Sequence, residues 1–383
     1  MSRAPAPRVL VVHNRYRVAG GEERAVELQL AALRDAGVDH AALVRDSAGA
    51  GRTRAARALL RGGERPDDVA AAVRESGAGV VHVHNMQPLF GPRSLVAARD
   101  AGARVVLHLH NFRLFCSIAV AFRDGQTCFR CRGRLTLPGL ALNCRGTLAE
   151  SAAYTSALAL HQPTVFEAVD RFVTPSEFAA GQLARLGVPS ERLDVLASYV
   201  PEAPRADPAA GAYALVAGRL SVEKGLPVAV EAAARSGVPL RIAGDGPLGD
   251  ELRDLVSRTG APAELLGRVE HDRVGELLAG AAMVLVPSLG PEVLPFAALE
   301  AMAAGVPVVA SRTGSLPEVV GRERCVPRRD PEALAGAMRR LWEDPGLRAA
   351  EGDAMHARVR ERHSRERYTR GLLALYERVQ AQA

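Results

Sequence analysis

Glu292 and Glu300, with seven residues between them, and Arg219 and Lys224, five positions apart, are the side chains whose types and spacing suggest chemistry. Glu300 falls within Phe296-Ala-Ala-Leu-Glu-Ala-Met-Ala-Ala304, an almost wholly apolar stretch. A helix of that composition is buried, and a carboxylate in it is costly unless polar groups meet it. Two readings satisfy that need: hydroxyls of a ligand such as a ribose diol, or a protein partner such as a buried Arg or a helix N-terminus. Arg219 and Lys224 lie in Gly218-Arg-Leu-Ser-Val-Glu-Lys224-Gly225. Backbone donors at a strand-to-helix turn, joined by two cations, suit a diphosphate; a pair of solvated cations is the alternative. Lys224 is the one lysine of the chain, the other 48 of the 49 basic residues being Arg, so a lysine kept in this loop favours function. Gly244-Asp-Gly246-Pro-Leu-Gly249 matches the Gly-x-Gly-x-x-Gly pattern of dinucleotide sites. The acid expected at the end of the next strand is missing, since Glu264 stands at its start and Gly267-Arg268 follow it. Gly244 and Gly246 therefore read as a phosphate- or base-facing turn, and a nicotinamide cofactor is disfavoured.

The elements that must position these residues alternate. Short Val- and Leu-rich runs are separated by helix-period segments, the pattern of parallel sheets covered by helices on both faces. Strands are expected at Arg8–His13, His40–Val44, Val80–His84, Arg104–Leu109, Arg171–Thr174 and Leu193–Ala197, then at Tyr213–Ala217, Leu240–Ala243, Glu264–Leu266, Met283–Pro287 and Val306–Ala310. Between the two series the Pro- and Ala-rich stretch from Tyr199 to Gly211 can be neither helix nor central strand. It places an N-terminal domain at 1–200, a linker at 201–211, a C-terminal domain at 212–360, and a helix at 361–383 as a candidate to pack back on the first domain. Helix caps agree: Gly20-Gly21 leads into Glu22–Ala36 with Gly37 beyond it, and Pro295 fits the first position of a helix that runs to Ala304 and stops at Gly305. From Pro345 to Gln382 the chain reads as helical.

His13-Asn14, His84-Asn85 and His110-Asn111 each fall at the carboxyl end of an expected strand, the edge where ligands sit in open α/β sheets. A metal and core packing are the other readings of these histidines. Cys116, Cys128, Cys131 and Cys144 crowd a loop-like segment at 112–146, and Cys128-Phe-Arg-Cys131 is a Cys-x-x-Cys pair. That cluster fits structural zinc, free thiols or a redox pair. Arg52, Arg54, Arg57, Arg61 and Arg65 crowd another segment, the last three at a spacing of four, which suits an anionic membrane surface or a solvated face.

A length of 383 residues predicts two domains with separate cores, and 48% hydrophobic against 24% charged residues is a soluble globular balance. The formal charge of +6 is scattered rather than gathered in an arm, so no nucleic-acid partner is expected. Met1 to Pro7 runs straight into a strand and shows no signal-peptide pattern, which gives a cytoplasmic expectation, with peripheral contact at the inner membrane face as its variant.

Gly218-Arg219-Leu-Ser-Val-Glu-Lys224-Gly225, Ala243-Gly-Asp-Gly-Pro247 and the run from Glu292 to Val308, together with the Gly20-Gly21 turn, stand in an order and spacing that resemble the family 4 glycosyltransferases. Their fold is GT-B, two facing Rossmann-like α/β domains with parallel sheets and an interdomain cleft. The resemblance covers nearly the whole chain. It implies a retaining transfer of sugar from a nucleotide-diphosphate sugar to an acceptor hydroxyl, with no cofactor required for catalysis. Glu300 would bind the donor ribose, Glu292 the transferred sugar, and Arg219 and Lys224 the leaving diphosphate. Gly20, Gly21, Gly244 and Gly246 would line the donor, and His110 would lie near the donor sugar and the acceptor hydroxyl. Leu294-Pro295-Phe296 would also touch the donor, although the family often has Phe-Gly two residues after the first Glu. A nucleotide-sugar epimerase or phosphorylase, or a non-catalytic nucleotide-sugar-binding protein, are the competing readings.

Overall fold

The computed structural model describes residues 7–16 and 20–381. The expectation that the N-terminus carries no signal peptide falls mostly on Met1–Ala6, outside the described residues. In chain order the elements are β1 (Val9–Arg15), α1 (Gly21–Asp35), β2 (His40–Asp46), α2 (Arg52–Arg61), α3 (Asp67–Ser76), β3 (Val80–Val83), α4 (Gly91–Asp100), β4 (Arg104–His108), β5 (Phe122–Arg123), β6 (Gln126–Thr127), α5 (Leu137–Ala141), α6 (Leu148–Ala168), β7 (Arg171–Thr174), α7 (Glu177–Leu186) and β8 (Leu193–Val195). There follow β9 (Tyr213–Ala217), α8 (Leu226–Ser236), β10 (Leu240–Ala243), α9 (Gly249–Thr259), β11 (Ala263–Gly267), α10 (His271–Ala279), β12 (Ala281–Val286), α11 (Phe296–Ala304), β13 (Val308–Ser311), α12 (Leu316–Val320), β14 (Cys325–Val326), α13 (Pro331–Glu343), α14 (Pro345–Arg362) and α15 (Arg365–Ala381).

Two compact units share this chain. Unit 1 comprises 1–121, 129–198 and 365–383, and unit 2 comprises 122–128 and 199–364. The Cys-rich loop expected at 112–146 of the first domain is thus divided. Its hairpin β5–β6 belongs to unit 2, where Arg328 donates to Thr127 Oγ1 at 3.0 Å and Gly125 packs on the Arg329 guanidinium. The helical stretch expected from Pro345 onward is two helices, broken at His363-Ser364. Only α15 joins unit 1, so the first unit's third segment starts at Arg365 rather than 361.

Unit 1 is a parallel sheet in the order β2-β1-β3-β4-β7-β8. Its strands β3 and β4 are almost continuous Val, Leu and His, buried from end to end apart from Arg104, as strands covered on both faces require. Unit 2 is a parallel sheet in the order β11-β10-β9-β12-β13-β14, which by position within the unit is 3-2-1-4-5-6, the dinucleotide-binding order. In such a sheet the strand order reverses between the first and fourth strands, here β9 and β12, and the crevice beyond their carboxyl ends is where ligands sit. The Tyr199–Gly211 stretch has one 3-10 turn, Pro208–Ala210, and lies against unit 2. Ala206 N–H donates to Ala304, and Arg348, buried, donates to the carbonyls of Pro208 and Ala209.

Candidate functional site

The loops after β9 and β12 carry the two halves of the unit 2 site. After β9 the chain passes Gly218-Arg219 into the 3-10 turn Val222–Lys224 and then α8, with Gly225 in the left-handed region at φ +67°. A Cβ at Gly225 would meet the Pro287 carbonyl at 2.1 Å, so only glycine allows this turn to close on the end of β12. The amides of Leu289 and Gly290 both donate to the Glu223 carbonyl, at 2.8 and 2.9 Å. Those bonds pin the loop that holds Glu292 onto the loop that holds Lys224. As a result Lys224 Nζ lies 2.7 Å from Glu292 Oε1, across 68 residues of sequence. Ser288 donates to the same oxygen at 2.5 Å. Burial pushes the Glu292 carboxyl up, but Lys224 and Ser288 outweigh it and hold it below the ordinary carboxylate range. Glu292 is ionised and can accept further hydrogen bonds.

Arg219 is exposed, one turn ahead of Lys224 on the same loop, with no ion-pair partner among the described residues. Glu300 is half-buried on α11, whose Ala298, Leu299, Ala301, Met302, Ala303 and Ala304 are buried around it. Pro295 is the N-cap of α11 rather than its first residue, and Leu294 and Phe296 pack against the core of unit 2 beside it. Gly244 and Gly246 have a role the sequence did not disclose. A Cβ on Gly244 would meet the Gly218 carbonyl at 1.8 Å, and one on Gly246 the Leu220 carbonyl at 2.5 Å. These glycines let the loop after β10 lie backbone to backbone on the Arg219 loop, sealed by Gly218 N–H to Ala243 and Leu220 N–H to Asp245 at 2.9 Å each.

At the carboxyl edge of the unit 1 sheet, β1 and β3 are the neighbours at which the strand order reverses, and Asn14 N–H donates to the Asn85 carbonyl at 2.8 Å. Gly20 is the N-cap of α1, but its N–H donates to the Glu23 carboxylate at 2.8 Å, as does Tyr16 N–H at 2.9 Å. The Gly20 amide, expected to line the donor, is bonded to the protein's own carboxylate; Gly21 opens the helix beside it. His13 Nε2 is 3.7 Å from that carboxylate. Glu22, on the next residue, accepts from Tyr16 Oη at 2.9 Å and Asn111 Nδ2 at 3.2 Å, with the Arg113 guanidinium over the Tyr16 ring.

His110 lies beside three other imidazoles. His84 Nδ1 is 2.7 Å from His110 Nε2, and His82 Nε2 is 3.3 Å from His108 Nδ1. The rings of His84 and His110 are 13° from coplanar with centroids 5.0 Å apart, so a nitrogen gap of 2.7 Å places them edge to edge. His82 and His108 are arranged likewise, 29° apart. The two pairs then lie face to face, His108 on His110 at 4.1 Å and 9°, His82 on His84 at 4.8 Å and 11°. Burial keeps all four rings neutral, pushing His82 down to about 3 and the others well below their ordinary range. His82, His84 and His108 bring nitrogens within 4.8 Å of one another. Stacked, nearly parallel ring planes, however, keep their in-plane lone pairs in separate planes, a poor arrangement for a tetrahedral metal. His82 and His108 went unremarked in the sequence. The His-x-His spacing at 82–84 and 108–110 was the signal, because a strand's period of two puts both on one face.

Two family models match the chain: the glycosyl transferase 4-like domain over residues 20–198 and glycosyl transferases group 1 over residues 211–344. The chain belongs to the family 4 glycosyltransferases. This glycosyltransferase is 40% identical over 137 residues to a GDP-mannose-dependent alpha-(1-6)-phosphatidylinositol dimannoside mannosyltransferase of Mycobacterium tuberculosis, covering 33% of this chain and 35% of that one. It is 32% identical over 192 residues to a putative colanic acid biosynthesis glycosyltransferase of Escherichia coli, covering 45% and 47%. The chain spans less than half the length of the curated relatives it matches. Its fold is GT-B: the structure of Anabaena HepE in complex with UDP superposes with a TM-score of 0.68 at 16% identity, covering 97% of this chain and 99% of that one.

Two further groups of residues singled out by the sequence are placed as follows. Of the four loop cysteines, Cys128 belongs to unit 2 while Cys116, Cys131 and Cys144 belong to unit 1. Among the described residues the group of three or more metal-type ligands at coordination spacing is the histidine set. Of the arginines near 52–65, Arg65 lies beyond the end of α2 at φ +40°, and Arg54, exposed, pairs with Glu64. No described helix is long and apolar enough to cross a membrane.

Proposed function

We propose that this glycosyltransferase moves a sugar, with retention of anomeric configuration, from a nucleoside-diphosphate sugar to an acceptor hydroxyl. The observation that carries this reading is the Lys224–Glu292 couple at the switch point of a dinucleotide-order sheet. An ammonium held 2.7 Å from an ionised carboxylate is a paired set of charges that a donor can divide. Lys224, with Arg219, turns to the diphosphate and stabilises the charge that grows there as the glycosidic bond breaks. Glu292, held by Ser288, accepts from hydroxyls of the sugar, while Glu300 accepts from the ribose. No metal is needed for a leaving group already met by two cations, and a donor phosphate oxygen takes the acceptor proton. The mycobacterial relative uses GDP-mannose and the Anabaena structure holds UDP, so GDP and UDP sugars are the first donors to try.

Thermal shift against a panel of nucleoside diphosphates and their sugars identifies the donor, since a ligand at a hundred times its Kd stabilises the fold by about 2.7 kcal/mol. With that donor, nucleoside diphosphate is released only when an acceptor is added. Release without acceptor, or interconversion of the sugar, sinks the transferase reading. Lys224→Ala and Glu300→Ala each lower kcat by about a hundredfold or more while the melting temperature stays within a few degrees. Near-wild-type turnover in either variant at low donor concentration removes that residue from the site.

A further inference from the structure

The histidine block raises the question of where His110 carries its proton. A neutral imidazole has one donor nitrogen and one acceptor, and the bond its neighbour makes decides which is which. His110 Nε2 faces His84 Nδ1 at 2.7 Å, so one of the two donates and the other accepts. The other nitrogen of His84, Nε2, is buried without a hydrogen-bond partner among the described residues. Were His84 protonated there, the block would enclose an N–H with no acceptor. Protonated on Nδ1 instead, it encloses only an unfilled lone pair, the cheaper of the two.

We infer that His84 is the positioning residue for His110: it donates Nδ1–H to His110 Nε2, so that His110 carries its own proton on Nδ1 and presents a hydrogen-bond donor, not a base. This rests on the reading of His110 as a residue near the donor sugar and the acceptor hydroxyl. A donor at Nδ1 suits a sugar hydroxyl or ring oxygen, whose lone pairs gain from it as the diphosphate departs. It is unsuited to taking the acceptor proton, because Nε2 is already occupied. Face-to-face contact with His108, itself tied through His82 to Tyr376 Oη at 2.8 Å, holds the ring in place for that bond. Rotation of His110 would break the contact and the hydrogen bond together.

Long-range 1H–15N correlation spectra of the full chain labelled with 15N-histidine test the assignment directly, because the two neutral tautomers give separate nitrogen shifts. At neutral pH His110 is expected to show Nδ1 protonated and Nε2 bare. His84→Leu, which removes the donor, is expected to move His110 toward the Nε2–H form and to lower kcat about tenfold or more, with donor KM within about threefold. His84→Asn, whose amide offers an N–H close to the position of Nδ1, is expected to restore the tautomer and most of kcat. A wild-type His110 protonated on Nε2 overturns the inference, as does His84→Leu with tautomer and kcat both unchanged. If His84→Leu does not fold, the wild-type spectrum alone decides. The two readings separate through His110→Ala: full turnover in that variant ends the catalytic reading of His110, while the tautomer stands or falls on the spectrum.

Discussion

Glu22 shows how much one carboxyl can depend on what surrounds it. It is half-buried at the start of α1, accepts from Tyr16 Oη and Asn111 Nδ2, and lies close to the Arg113 guanidinium. Burial pushes it up to about 7, against the opposing pull of Tyr16, Arg113 and His13. The sign of its effect on stability follows. Between the ordinary carboxyl value and about 7 the folded chain holds a proton that the unfolded chain has lost, so stability falls as pH rises through that window. Glu22→Gln cannot lose that proton. The difference in unfolding free energy between wild type and Glu22→Gln should therefore shift by about 2 kcal/mol in favour of the variant between pH 5 and pH 8. Urea titrations of both proteins at the two pH values measure it, and an unchanged difference would mean that Glu22 titrates as an ordinary carboxyl.

At the scale of elements, the loops after β9, β10 and β12 owe their positions to glycines where another stretch of backbone runs too near for a side chain. Gly244, at φ +152°, faces the Gly218 carbonyl, so Gly244→Ala must push the Arg219 loop away. The expected costs are about 3 kcal/mol of stability and a tenfold or greater loss of donor affinity. Gly237→Ala, also at positive φ but with open space around it, should cost only about 1 kcal/mol and leave donor affinity alone. Calorimetry and donor titration of the pair read both effects. The motif suggested a phosphate- or base-facing turn, and glycine content alone could not say that backbone fills the space beside the Gly244 Cα. The strands were more legible. All eleven expected ones are present, Arg171–Thr174, Tyr213–Ala217 and Leu240–Ala243 with the bounds expected, because Val- and Leu-rich runs between turn residues leave few alternatives. The strands that went unseen, β5, β6 and β14, have two residues each, too few to carry a period. Lys224 and Glu292 were each singled out by residue type, but their contact was not foreseeable, since it depends on β12 lying beside β9 rather than beside its sequence neighbour β11.

For the molecule as a whole, α15 matters out of proportion to its length. Tyr368, Leu372, Leu375, Tyr376 and Val379 are buried within unit 1, and two tyrosines complete a polar chain through its interior. Tyr368 Oη meets Gln29 Oε1 at 3.1 Å, Gln29 Nε2 meets Tyr376 Oη at 3.0 Å, and Tyr376 Oη meets His82 Nδ1. Tyr376→Phe leaves Gln29 and His82 each one partner short in a buried core. It should destabilise unit 1 by about 2–3 kcal/mol while the melting of unit 2 is unchanged. Hydrogen exchange followed separately in β3 and in β9 tests this, and equal loss of protection in both strands would refute it.

That arrangement also sets an order of events during synthesis. The ribosome releases the first two segments of unit 1 early, then the whole of Tyr199–Ser364, and only afterwards the residues of α15. Unit 2 can complete its sheet as soon as Ser364 is clear of the exit tunnel. Unit 1, begun first, waits for its last helix with the Gln29 and His82 side chains unmatched and the apolar surface that α15 will cover open to solvent. Growing chains stalled before residue 365 are thus the form of this protein that a chaperone would have most reason to hold.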